Sequence, residues 1–205
     1  MKYFVPVLTA GLCLCWGACA HRSGQPPSHQ QDSLSHQDSS ANANFPVAEY
    51  LETEILRMDS FPEALRKFTT RDGHTDTAYI QLPEFNALAL QFLVPAFNDG
   101  SFQKQYTESS FMDRSTETAT LTYSTTDADL PLQRVDVVTI AENGVNKVRS
   151  VYLENRKVAG DSVIFQKLYW QTMHQLQIVS LITVKGQPPV RQQVKVVWDP
   201  DEDNE

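Results

Sequence analysis

Apolar residues recur at helical spacing between Phe45 and Phe102 and alternate with polar ones in short runs beyond Glu117, so the pattern divides the chain into an early helical part and a late sheet part. Val47, Tyr50, Leu51, Ile55 and Met58 fall on one face of a helix whose first turn accommodates Pro46. A second short helix is predicted from Ser60, where Ser60-Phe61-Pro62-Glu63 has the form of a capping box and Phe61, Ala64, Leu65 and Phe68 share a side. Arg71-Asp72-Gly73-His74 marks a turn, and Thr75 to Gln81 reads as a brief strand or an extended approach to the next helix. From Pro83 the residues Phe85, Leu88, Ala89, Phe92 and Leu93 fill the helical template, which Pro95 and Asn98-Asp99-Gly100 close. A weaker helical segment is expected from Phe102 to Met112, with Phe102, Tyr106 and Phe111 or Met112 inward.

Six segments rich in Val, Ile, Thr, Tyr and Trp then read as strands, at about Thr118 to Thr125, Leu132 to Ala141, Lys147 to Glu154, Ser162 to Trp170, Gln175 to Val184 and Val190 to Trp198. Their connections are too short for a parallel crossover, so neighbours pair antiparallel in an up-and-down meander. Asn143-Gly144 suits a two-residue hairpin in which both central residues take positive φ. Alternation is clean in the last strand, with Val190, Val194, Val196 and Trp198 on one side and Arg191, Gln193 and Lys195 on the other. In the second strand Val135, Val137 and Val138 put apolar groups on both sides. The expected fold is α+β: N-terminal helices packed on a six-strand antiparallel meander, either curled as a half-barrel around an apolar groove or flat with its helices packed tightly.

Ahead of this domain, Lys2 precedes an apolar run from Tyr3 to Trp16 and the small-residue ending Gly17-Ala18-Cys19-Ala20, the three-part form of an export signal. His21 to Asn44 is rich in Ser, Gln, His, Asn and Pro, with Leu34 its one large aliphatic residue. Such a segment buries too little apolar surface to offset its ordering entropy and reads as a flexible polar tether. As a random coil its span is roughly 25–30 Å. The organisation is therefore a signal peptide over residues 1–18, a tether over 19–44, one α+β domain over 45–199 and an acidic tail over 200–205.

Composition sharpens this division. With 41% hydrophobic residues in 205, the chain can bury one ordinary core. Removing the leader takes away Lys2 and leaves 16 basic against 25 acidic residues, a net charge of −9. That balance argues against a nucleic-acid partner, which needs clustered Lys and Arg. All three cysteines, Cys13, Cys15 and Cys19, lie in the first nineteen residues, so the domain has no disulfide, thiolate metal site or cysteine nucleophile.

Residues 1–20 resemble bacterial lipoprotein signals, in which a small residue precedes a cysteine that is diacylated and becomes the mature N-terminus. Gly17, Ala18 and Cys19 fit that lipobox, while Trp16 stands where the family usually has Leu or another aliphatic residue. The resemblance implies lipidation at Cys19 and anchoring to a membrane of the cell envelope. Ala20 in place of the aspartate that acts as an inner-membrane retention signal in some bacteria implies the outer membrane. Two other readings stay open: Ala18-Cys19-Ala20 has the A-x-A form of ordinary signal peptidase sites, which would release a protein starting at His21, and the apolar run could remain as an uncleaved anchor. All three place the domain outside the cytoplasm. Residues 45–205 resemble no family.

Chemistry is sparse. The sequence lacks G-x-S-x-G, H-E-x-x-H, a P-loop and G-x-G-x-x-G. His74, near Asp72 and Asp76, could be a base with an orienting carboxylate or part of a two-ligand metal site; a polar turn is the favoured reading. His174 is expected in a solvated turn, and His21, His29 and His36 are spaced too irregularly for a ligand set. Asp127 with Asp129, and the terminal Asp199, Asp201, Glu202, Asp203 and Glu205, lack the regular spacing of a calcium loop. Alternation lets only one of Tyr169 and Trp170 face inward, so the other, with Trp198 as a further candidate, is the best surface clue in the domain. The expectation is a non-enzymatic lipoprotein without metal or cofactor, working as an interaction or structural module with an envelope protein. The alternative is a carrier of a lipid or other hydrophobic ligand, held between the sheet and the Phe85–Leu93 helix. A hydrolase built on His74 is the least favoured reading.

Overall fold

The computed structural model describes residues 45–60 and 64–198. Helix α1 (Val47–Met58) leads into strands β1 (Leu65–Arg71) and β2 (His74–Ile80), helix α2 (Leu82–Ala89) and the short helix α3 (Phe102–Gln105). Seven more strands follow: β3 (Thr107–Asp113), β4 (Thr118–Ser124), β5 (Leu132–Glu142), β6 (Val145–Ala159), β7 (Ser162–Gln171), β8 (Gln175–Val184) and β9 (Val190–Val197). The nine strands form one antiparallel sheet in the order β2-β1-β9-β8-β7-β6-β5-β4-β3, open at β2 and β3. The protein is thus mostly β, with few helices.

All six predicted strands are present as a meander, and two expectations from the helical part need correction. The segment after Ser60 is not a helix where it is described: Leu65–Arg71 is β1, which pairs on one side with β2 and on the other with β9. Its run Lys67-Phe68-Thr69-Thr70 is rich in β-formers, and an available edge on β9 outweighs the helical spacing of Leu65 and Phe68. Residues 61–63 of the supposed capping box, the leader with Cys19, the tether and the acidic tail lie outside the described residues. In the second case the Phe102–Met112 helix stops after Gln105, and Thr107–Asp113 is β3, paired with β4 over all seven residues. Thr107, Ser109 and Ser110 are poorer helix formers whose hydroxyls compete for the backbone, and pairing wins.

Turn chemistry follows the sequence closely. Asp72 and Gly73 join β1 to β2 with φ of 51° and 79°, and Asn143 and Gly144 join β5 to β6 with 52° and 75°. Both are the two-residue turns whose twist matches that of the strands. The mixed pattern in β5 has a local cause, since its register against β6 shifts between Leu132 and Arg134 and again between Val138 and Thr139. The first bulge lets Leu132 and Val135, three apart, both face inward, while Val138 points the other way.

The helices cover one face of the sheet. Phe85 and Phe92 meet Trp170 and Trp198 edge-on, with ring centroids 5.5–6.2 Å apart. A second group stacks Phe102 on Tyr106 at 4.4 Å and against Tyr123 at 5.7 Å. Leu51, Phe85, Phe92, Tyr123, Trp170 and Trp198 are all fully buried, and each such side chain stabilises the fold by about 1.5–3 kcal/mol through removal from water. The Tyr106 hydroxyl donates to the Leu132 carbonyl at 2.7 Å, and the Phe45 backbone N–H donates to the Tyr123 hydroxyl at 2.8 Å, so the polar ends of these rings are satisfied.

Candidate functional site

The groove expected between the sheet and the Phe85–Leu93 segment is filled. Phe85, Ala89 and Phe92 reach it from α2 and the turn that follows, Trp170 comes from β7, and Trp198 follows β9; all five are buried. At the margin of this packing Gln166 donates through Nε2 to Gln91 Oε1 at 3.2 Å and to Ser180 Oγ at 3.3 Å. The recesses at the surface are open. One of about 530 Å³ lies between the start of α1 and the Phe97–Gln103 segment, and two of about 410 Å³ lie beside the β3–β4 turn and beside the β1–β2 turn. Asp99 at the first is engaged by Ser101: its carboxylate accepts the backbone N–H at 2.9 Å, which holds the group below its ordinary value.

Sequence-predicted residues disperse over the fold. His74 is exposed at the start of β2, with Nε2 3.2 Å from Asp76 Oδ1. Asp72 occupies the turn itself and lines the open recess beside it with Gly73 and Arg191, while His74 and Asp76 stand exposed on β2 outside its lining. His174 corrects the expectation of a solvated turn, being only 6% exposed. Its backbone N–H donates to the Gln171 carbonyl and its carbonyl accepts from the Trp198 N–H at 3.1 Å, so the β7–β8 turn is tied to the end of β9 and the ring is drawn in. Asp127 and Asp129 share a capped turn, the Asp127 carboxylate accepting the Asp129 N–H at 2.9 Å. No group of three or more His, Asp or Glu residues suited to a metal occurs among the described residues.

One acidic group was missed by sequence reasoning. Glu54 sits on the buried face of α1 with its carboxylate 2.7 Å from the Arg57 guanidinium. Burial raises its pKa, and Arg57, the Trp170 indole and the Met173 backbone N–H only partly offset this. Its place at the i+3 position from Leu51 is the signal that could have found it. Next to it the Tyr50 hydroxyl lies 2.5 Å from Thr172 Oγ1, and burial pushes the phenol up to about 12. These groups fasten α1 to the β7–β8 turn, and none of them lines the three recesses described above.

The opposite face of the sheet is different. Alternation turns Trp170 inward and Tyr169 outward, where Tyr169 pairs across strands with Tyr152 and Gln177. Two rows toward the β6–β7 turn, Phe165 stands between Arg156 and Leu181, and Leu181 is followed by Arg191. Phe165 and Leu181 are both exposed. A polar ladder flanks these residues: Thr122 donates to Asp136 at 2.6 Å, Arg134 Nε contacts the same carboxylate at 2.9 Å, and the Tyr152 hydroxyl donates to Glu154 at 2.5 Å. Burial and the Glu154 carboxylate both raise the Tyr152 phenol. Such a surface offers contact area and fixed polar groups.

Among the described residues no helix is long and apolar enough to cross a membrane. No protein-family model matches the chain, and neither a curated protein nor a solved structure matches it.

Proposed function

We propose that the chain is a lipid-anchored, non-catalytic interaction module of the cell envelope, held at the membrane through Cys19 and engaging a partner protein with the outer face of its sheet. The observation that carries this reading is the contrast between a filled interior, where Phe85, Phe92, Trp170 and Trp198 occupy the groove a carried lipid would need, and an outer face on which Phe165 and Leu181 are exposed between Arg156 and Arg191. Exposed apolar residues rimmed by charge mark protein contacts more often than catalytic sites. The sheet curls around α1 as an open half-barrel, which is supported by a single core cluster drawing on α1 and on strands from β1 to β8 and beyond.

Two experiments test it. Metabolic labelling with a fatty acid marks the wild type and fails with Cys19→Ser; labelling that persists refutes the anchor at this position. Crosslinking in intact envelope, followed by solubilisation and identification, yields a partner that is lost in Phe165→Asp and Leu181→Asp. A partner retained by both variants refutes the outer face as the contact.

A further inference from the structure

The free edge at β3 is unusually bare for a natural sheet. Thr107–Asp113 runs in unbroken register with β4, without a bulge, a proline or a lysine, and it leaves Phe111 68% and Met112 60% exposed. Long, flat edges with apolar side chains pair with another strand unless something blocks them. The edge is also complementary to itself. An antiparallel pairing of two copies about a two-fold axis at Ser110 aligns all seven residues and keeps the two faces of the sheet continuous. It sets Glu108 opposite Met112 of the other copy and one diagonal step from Arg114, while the two Phe111 side chains become diagonal neighbours on the outer face. No like charges stand opposite one another in this alignment. Glu108 lies beside the Tyr123 hydroxyl, and neither Glu108 nor Arg114 has an ion-pair partner among the described residues. Arg114 and Met112 line the open recess of about 410 Å³ at this edge, beside which the carboxylate of the other copy arrives.

The β2 edge lacks this complementarity. Its exposed polar side chains His74 and Asp76 engage each other within the strand, and its aligned self-pairing brings no Lys or Arg to a carboxylate.

We infer that two copies of this chain associate through antiparallel pairing of their β3 edges, with reciprocal Glu108–Arg114 ion pairs across the two-fold axis. The inference depends on the fold and not on the lipid anchor. Its test is sedimentation of the full chain in mild detergent. The wild type sediments as a concentration-dependent dimer. Glu108→Arg and Arg114→Glu each weaken the dimer by about tenfold or more, since each converts two attractive pairs into two repulsive ones, and the double variant E108R/R114E restores it. Because both side chains are exposed, the variants keep the fold, which circular dichroism verifies. A second readout fixes the register: Ser110→Cys gives a covalent dimer under mild oxidation, and the wild type does not. A monomer at every concentration, a dimer indifferent to both charge reversals, or open-ended polymers overturn the inference.

Discussion

Trp170 and Tyr169 are adjacent in one strand and meet opposite surroundings. Trp170 is sealed among Phe85, Phe92 and Trp198, whereas Tyr169 lies on the uncovered face beside Tyr152. The difference teaches that the largest rings close the interior, and that the aromatic surface left accessible lies on the outer face. A fold that invested its largest side chains in filling the space under its helices has left little room there for a guest.

The largest test of that contrast is truncation of each ring. Trp170→Ala should cost about 3–5 kcal/mol in chemical denaturation, and Tyr169→Ala about 1 kcal/mol or less. Comparable losses would mean that the outer face is covered as well. Loss of hydroxyls gives a smaller version of the same comparison. Tyr50→Phe, which removes the hydrogen bond between α1 and Thr172 Oγ1 and leaves that hydroxyl only its donation to the Val148 carbonyl, should cost about 1 kcal/mol by the same measurement, and more than Tyr152→Phe, whose partner Glu154 keeps access to water and to Lys167. The smallest effect is in pH dependence. Glu54 has its folded-state pKa raised by burial, so the folded protein holds that proton more firmly than the unfolded chain does. The associated stability is complete below the ordinary value of 4.5 and is lost as pH rises through the higher folded-state pKa. Glu54→Gln should remove that decline, visible as a flatter plot of denaturation midpoint against pH between acid and neutral conditions. An unchanged plot would show that the Arg57 pair leaves no net shift.

Much of the sheet was legible because its strands alternate and its turns carry their own chemistry. Asn143-Gly144 and Asp72-Gly73 are at positive φ, as their residue types demand, and Leu176, Ile178, Val194 and Val196 face as the period of two requires. The misread stretches were those where a local pattern competed with a distant strand. Leu65 and Phe68 are three apart, as on a helix, yet β9 offers Leu65–Arg71 a ladder that no local pattern reveals. Thr107–Asp113 is so exposed that alternation carries no signal, and only its pairing with β4 defines it. The bulge that reconciles Leu132 with Val135 is likewise a property of the pair β5 and β6, not of either sequence alone. At the surface, the identity of the outward ring at Tyr169 followed once the face of Trp170 was known. The exposed Phe165 and Leu181 required the cross-strand register, because they come together from different strands.

The most direct test of the proposal that the chain works through its exterior is native mass spectrometry of the full protein taken gently from membranes in mild detergent. The expected mass per chain is that of the polypeptide with lipid covalently held at Cys19, unaltered by extraction with organic solvent. A stoichiometric apolar adduct that is released by that extraction would contradict it and return the molecule to the class of carriers.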